Sequence, residues 1–201
     1  MQSIYFVDSN FTYESSKKSI LSIRYATDGF SFCVHDETGK LVVFVHEPYA
    51  ADSREAAVAR LKNYVVNDAI LNLRFKKVYI MPCFKEKLLV PGAFFDKANI
   101  TTLYTVNQEV SPDDTILYHH IEGIEAYLVE TVISSFHDFV REHFPVFQIV
   151  NGAYPFILGA MGKALRDTEQ IFLDIQDNYF DLLFIRDSGI QLFNTFSYKA
   201  T

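Results

Sequence analysis

Gln170–Tyr198, QIFLDIQDNYFDLLFIRDSGIQLFNTFSY, is the stretch from which the fold can be worked out. Ile171, Leu173 and Ile175 alternate along the chain, Asp177 and Asn178 interrupt, and Phe180–Ile185 resumes the apolar pattern. Asp187, Ser188 and Gly189 then turn the chain into Ile190–Phe196. Period-two alternation broken by Asp, Asn, Ser and Gly predicts three strands joined by a polar bend and a tight turn. An earlier copy runs from Ser19 to Tyr49: Ile20–Tyr25, a turn at Thr27, Asp28 and Gly29, Phe30–His35, a turn at Thr38, Gly39 and Lys40, then Leu41–His46. Two strand, bend, strand, turn, strand units in one chain predict a duplicated architecture.

Outward from these copies, Pro48 ends the first sheet, and Asp52 with Glu55 reads as a capping-box start to a helix. Val58, Leu61, Val65 and Ala69 form its apolar stripe, with Arg54, Arg60 and Lys62 outside. Lys77–Pro82, KVYIMP, reads as a buried parallel strand after that crossover, making the unit βββαβ. Next come an extended Leu89–Pro91 entering a helical turn, and two strands at Thr101–Val106 and Thr115–Ile121 around Ser111–Asp114. A strand at Glu125–Val129 follows, then a helix from Thr131 burying Val132, Phe136, Phe139, Val140 and Phe144 and ending at Pro145. Phe147–Val150 is a short strand, Asn151 a helix cap, and Tyr154–Leu165 an apolar helix whose Gly159 and Gly162 read as close-packing positions. Met1–Lys18 is a lead-in or an added edge strand. The expected organisation is a first lobe over residues 1–166, with inserted strands and helices, and the start of a second lobe over 167–201.

The chain has 201 residues, 49% of them hydrophobic, enough to bury a sizeable core. A net charge of -7 and no basic run longer than two residues leave a counterion-release grip on nucleic acid little to work with. The N-terminus lacks a basic region followed by an apolar one, and no apolar run approaches the ~20 residues a spanning helix needs, so the expected location is the cytoplasm, without membrane insertion. Cys33 and Cys83 have no CxxC spacing and read as small core residues.

Local patterns that imitate chemistry fail on geometry. Gly162-Lys163 lacks both the following Ser or Thr and the earlier Gly of a phosphate-binding loop. His119 and His120 are adjacent on a strand and point to opposite faces, so neither converges with Glu122 unaided. His137 and His143 are about 240° apart around a helix. No metal ligand set is expected. The remaining constellation is acidic: Asp174, Asp177 and Asp181, matched by Asp28 and Asp36 in the first copy. Carboxylates near strand bends either hold Mg²⁺ beside a phosphate or solvate turns.

The repeated βββαβ pattern resembles the actin-like ATPase superfamily, with a ribonuclease H-like fold, which also contains sugar kinases and the Hsp70 chaperones. The run from Glu125 to Phe196 is similar to the cytoplasmic actin-like proteins of type IV pilus and type II secretion machines. Ser22 with TDGFSFCVHD at Thr27–Asp36, LVPGAFFD at Leu89–Asp96, HFP at His143–Pro145 and LFNTFSYKAT at Leu192–Thr201 resemble an uncharacterised bacterial family with that fold. The resemblance implies an α/β fold of duplicated mixed sheets flanked by helices, with an incomplete second lobe. It also implies where phosphate loops would lie. In the first lobe the matching stretch is Arg24-Tyr25-Ala26-Thr27, without the Asp and with a bulky Tyr; in the second, Asp174 persists but Gln176 replaces the glycine. Nucleotide hydrolysis is therefore expected to be lost, no cofactor is expected, and the chain should bind another protein or itself through the strand edge at Ile190–Phe196. The alternative is a kinase-like or ATPase enzyme holding Mg·ATP with Asp174, Asp177 and Asp181.

Overall fold

The computed structural model describes residues 2–199. Elements run β1 (Ile4–Val7), α1 (Tyr13–Ser16), β2 (Ile20–Ala26), β3 (Gly29–His35), β4 (Leu41–Pro48), α2 (Arg54–Asn67), β5 (Lys77–Pro82), β6 (Lys87–Pro91), a 3-10 turn (Gly92–Phe94), α3 (Ile100–Asn107), β7 (Asp114–His120), β8 (Ala126–Ile133), α4 (Ser134–His143), β9 (Phe147–Ile149), α5 (Ala153–Lys163), β10 (Glu169–Ile175), β11 (Tyr179–Arg186) and β12 (Gly189–Ser197). Residues 200 and 201, the end of the expected LFNTFSYKAT motif, lie outside the described residues. The chain divides into two compact units, Met1–Phe84 with Val132–Val150, and Lys85–Thr131 with Asn151–Thr201. It passes between them three times, whereas the expected organisation has one boundary at 166/167.

The first unit holds a six-stranded sheet in the order β1-β4-β3-β2-β5-β9. The hairpins β2–β3 and β3–β4 are antiparallel, while β5 pairs in parallel with both β2 and β9, as the βββαβ pattern requires. Alternation places Leu21, Ile23 and Tyr25 of β2 and Phe30, Phe32 and Val34 of β3 in the core. The lead-in does add an edge strand, β1 against β4. Helix α2 buries Val58, Leu61 and Val65, and Leu61 at 1% exposure contributes roughly 2 kcal/mol of burial. Its cap is Ser53, one residue past the expected Asp52, and Ser53 accepts the Ala56 N–H. Its end comes before Ala69: the Asp68 carboxylate takes the N–H groups of Ile70 and Leu71, and the Asn72 amide donates to the carbonyls of Val65, Val66 and Asp68. Leu71, fully buried, follows the stripe in place of Ala69.

The second unit holds two three-stranded sheets, β6-β8-β7 and β10-β11-β12. The expected strand at Thr101–Val106 is instead helix α3. Its Thr and Val content suggests a strand, but Ile100, Leu103 and Tyr104 recur at helical spacing and pack with Val90 and Val129, and tertiary burial overrides propensity. Strand β8 continues through Ile133, so the helix expected from Thr131 begins at Ser134. Buried Thr131 and Val132 extend the strand rather than open the helix. Helix α5 lies on the second sheet, with Ala153, Ile157 and Ala160 against Leu183 and Ile185. Close packing does not explain its glycines, since a Cβ on Gly159 or Gly162 would meet nothing within 4 Å.

Candidate functional site

The β10-β11-β12 sheet of the second unit places different chemistry on its two faces. Cross-strand register puts Asp174 opposite Asp181 and Asp181 opposite Thr195, on the face that also carries Phe172, Leu183 and Phe193. Asp177 falls in the bend between β10 and β11 and is exposed, so the structure brings together two of the three expected carboxylates and leaves the third apart. The first-copy acids serve their turns. Asp36 accepts from the Thr38 hydroxyl and the N–H groups of Thr38 and Lys40, and Asp28 lies 3.4 Å from the Arg24 guanidinium.

Asp181 does not face solvent. Its Oδ1 accepts from Lys87 Nζ at 2.9 Å and from the Thr195 hydroxyl at 2.6 Å, and the Lys87 side chain is 0% exposed. Burial pushes the Asp181 carboxyl up, opposed by the pull of the Lys87 ammonium. The ammonium also lies 4.7 Å from the centre of the Tyr179 ring. Strand pairing sets Lys87 directly across from Glu130 of β8, whose Oε2 accepts from the Asn151 amide at 3.1 Å. The N-cap of α5 is Gly152 rather than the expected Asn151; Asn151 sits one residue earlier, accepts the Ala153 N–H and holds Glu130. One lysine cannot neutralise two buried carboxylates. Asp181 makes the direct contact, and burial pushes Glu130 up to about 8.

His119 of β7 meets Glu130 from the other side, Nε2 to Oε1, at 3.8 Å. Burial holds His119 below the ordinary imidazole range, so at neutral pH the two meet uncharged rather than as an ion pair. These two atoms lack hydrogen-bond partners among the described residues. His120 turns the opposite way, onto the Tyr127 ring, as adjacent strand positions require. Among the described residues, no group of three or more His, Cys, Asp or Glu is arranged to hold a metal ion. The cluster is a charge-compensated core: Lys87 occupies the Asp181 oxygen that the alternative reading gives to Mg²⁺.

Protein groups engage both expected phosphate turns, through carbonyl oxygens in the first and through the Gln176 N–H in the second. In the first unit the carbonyls of Thr27 and Asp28 accept from Ala51 and Tyr49. Tyr25 is not the obstruction expected there, because its ring lies in the core against Phe84 and Phe136. In the second unit the Gln176 N–H donates to the Tyr179 carbonyl, its side-chain amide donates to Asp174, and the Tyr198 hydroxyl donates to its carbonyl. A cavity of about 520 Å³ between β6, the start of β8 and the start of β12 is lined mainly by Leu89, Pro91, Ile124, Ile190 and Phe193, and none of Asp174, Asp177 and Asp181 borders it.

The opposite face of the sheet is apolar, and no element among the described residues packs on it. Register aligns three rows across the strands: Ile175–Phe180–Phe196, Leu173–Leu182–Asn194 and Ile171–Phe184–Leu192. Ile171 is 65% exposed and Ile175 67%, and Leu173, Leu192 and Phe196 are also exposed. The rings of Phe180 and Phe196 stack with centroids 5.3 Å apart. Asn194 is the one polar residue in the nine positions.

A family model described as a protein of unknown function, DUF3822, matches residues 8–201. A Bacteroides thetaiotaomicron VPI-5482 protein with an actin-like ATPase fold and unknown function aligns over 94% of this chain and 74% of its own, at 22% identity and a TM-score of 0.86. The PilM-PilN type IV pilus biogenesis complex supplies a more distant match: 90% of this chain and 62% of that one, 12% identity, TM-score 0.54. The search of curated proteins returned no match. The fold is therefore actin-like, α/β with one mixed sheet and flanking helices and a small second lobe; the expected second mixed sheet is antiparallel throughout β10-β11-β12. No helix among the described residues is long and apolar enough to cross a membrane.

Proposed function

This chain belongs to the DUF3822 family, and for it we propose a non-catalytic actin-like role in the cytoplasm: it acts as an assembly module by binding another protein. The observation that carries the proposal is the outer face of the β10-β11-β12 sheet, exposed among the described residues, where eight of nine aligned positions are apolar. A contiguous apolar face on a soluble surface marks a protein contact, because leaving it in water forgoes roughly 25 cal/mol per Å². The closed second turn supports the non-catalytic half. Phosphate is gripped by free backbone N–H groups, and the Gln176 N–H is committed to Tyr179 while Asp174 is held by the Gln176 amide. That a structural neighbour comes from the PilM-PilN complex is consistent with an actin-like fold used for protein contact.

The test is calorimetric titration with Mg·ATP and Mg·ADP, beside the Asp174→Ala variant. The expected result is no heat at millimolar nucleotide for either protein. Micromolar binding that the variant loses would overturn the proposal and favour the enzyme, with Asp174 at its phosphate site.

A further inference from the structure

We infer that β7 is a proton-gated edge strand: it stays seated over Glu130 of β8 while that carboxyl carries a proton, and is released, baring the β8 edge, once the proton is lost. The inference stands apart from the protein-binding reading above and concerns the second unit alone.

Glu130 is 1% exposed, and the elements packed around it supply few groups to meet a charge there. Lys87 of β6 lies directly across in register, His119 of β7 brings Nε2 to 3.8 Å from Oε1, and ahead of α5 the Asn151 amide donates to Oε2 at 3.1 Å. Beyond Lys87 stand Asp181 of β11, 2.9 Å from the ammonium, and Thr195 of β12, whose hydroxyl donates to the same Asp181 oxygen. A protonated Glu130 can turn a donor toward the imidazole and leaves the ammonium to Asp181. An ionised one makes two buried carboxylates share one lysine, and water must come in to solvate the excess charge.

β7 is the element that can yield. None of its residues, Asp114–His120, is buried, whereas Leu128–Val132 of β8 and Asn151 and Ala153 at the entry to α5 all are. It is an edge strand of its sheet, held from its other face by Ile116 and Tyr118 against a cluster that includes Val129. Releasing it gives up one strand ladder and a half-buried face, and opens Oε1 to water; such edges belong to the least stable parts of a fold.

Linkage fixes the pH at which this happens. Seated, Glu130 is pushed up to about 8 by burial and His119 is held below the ordinary imidazole range. Released, both return to their ordinary values, 4.5 and 6.5. Just below pH 6.5 release frees the Glu130 proton while His119 takes one up, and the two cancel. From about 6.5 to 8 only the Glu130 proton is lost, so rising pH favours release. The histidine thereby confines the gate to the neutral range.

Native-state amide hydrogen exchange by NMR at about pH 6 and pH 8, with the intrinsic rise in exchange divided out, reads the opening constant strand by strand. In the wild-type chain the β7 amides should open more readily than those of β11, and their opening constant should rise about tenfold between the two conditions. Glu130→Gln should turn that rise into a fall of about fourfold, because only His119 then titrates, and His119→Gln should steepen it to about fiftyfold. Gln reproduces the protonated carboxyl, so the first variant keeps the fold, as thermal melts check; if the second fails to fold, the first decides. Equal opening in β7 and β11 would mean unfolding of the whole unit and overturns the inference. So does a rise that persists in Glu130→Gln, or a wild-type β7 whose opening ignores pH.

Discussion

Replacing Lys87 by Met keeps the side-chain stem and removes the ammonium, leaving the Asp181 carboxylate buried with the Thr195 hydroxyl as its remaining described donor. Breaking a buried pair from one side costs about 3–5 kcal/mol, a third or more of the roughly 5–15 kcal/mol that holds a domain together. The side chains of Lys87 and Asp181 are 0% and 2% exposed, so solvent does little to soften the loss. The sign of its pH dependence is fixed. Burial raises the Asp181 carboxyl in the folded chain, and without Lys87 nothing cationic opposes that rise. Between the unfolded value and the raised folded one, the native state binds the extra proton, so the variant loses stability as pH rises and recovers towards wild type as pH falls. Urea unfolding followed by circular dichroism, at about pH 4.5 and pH 7.5, measures both effects. The double variant Lys87→Met/Asp181→Leu should regain most of the loss, since neither charge is then stranded. A loss below ~1 kcal/mol for Lys87→Met at neutral pH, or one unchanged by pH, would refute a buried ion pair at this position.

Glu130→Gln should stabilise the protein at neutral pH. Wild-type Glu130, pushed up to about 8, must stay protonated when folded, so the advantage of Gln should grow by roughly 1.4 kcal/mol per pH unit from about pH 5 to 8, as read from paired urea melts. Gly159→Ala should raise stability by roughly 0.5–1 kcal/mol, because the added Cβ meets nothing and the helix gains propensity; a loss in thermal melts would reveal packing at that position. Gly29→Ala should cost about 2 kcal/mol or more in the same melts, because Gly29 has φ +148 and a Cβ there would lie 2.7 Å from the Glu47 carbonyl oxygen.

What could be read in advance was whatever depends on near neighbours in sequence. Alternation in Ile20–Tyr25 or Ile171–Ile175, broken by Asp, Gly and Asn, specifies strands and turns with little help from the rest of the chain. Helix α3 was hidden because Thr101, Thr102, Thr105 and Val106 favour strands, and only contact with Val90 and Val129 reveals which period matters. The polar cluster was hidden for a related reason. Nothing local distinguishes buried Lys87 from exposed Lys85, because the distinction lies in Asp181, far along the chain. Glu130 did leave a trace, as the lone acid in the apolar strand AYLVETVI, where a charge must either be paired or be neutral. Asp177 drew notice through its type, but a bend residue with an exposed side chain has no such demand on it.

The threefold passage of the chain between its units has a consequence for how the molecule can be taken apart or made. A cut after residue 84, 131 or 150 leaves at least one unit in two pieces, so no single cleavage yields both units whole. During synthesis, residues 1–150 complete the first unit, while the β6-β8-β7 sheet and its buried Lys87 wait for β11 to bring Asp181. A nascent chain must therefore hold Lys87 without Asp181, and the β6-β8-β7 sheet without the β10-β11-β12 sheet, until β11 has been made. A ribosome stalled short of β11 would hold a finished first unit tethered to an unfinished second one, the state in which a holdase or protease has most to recognise.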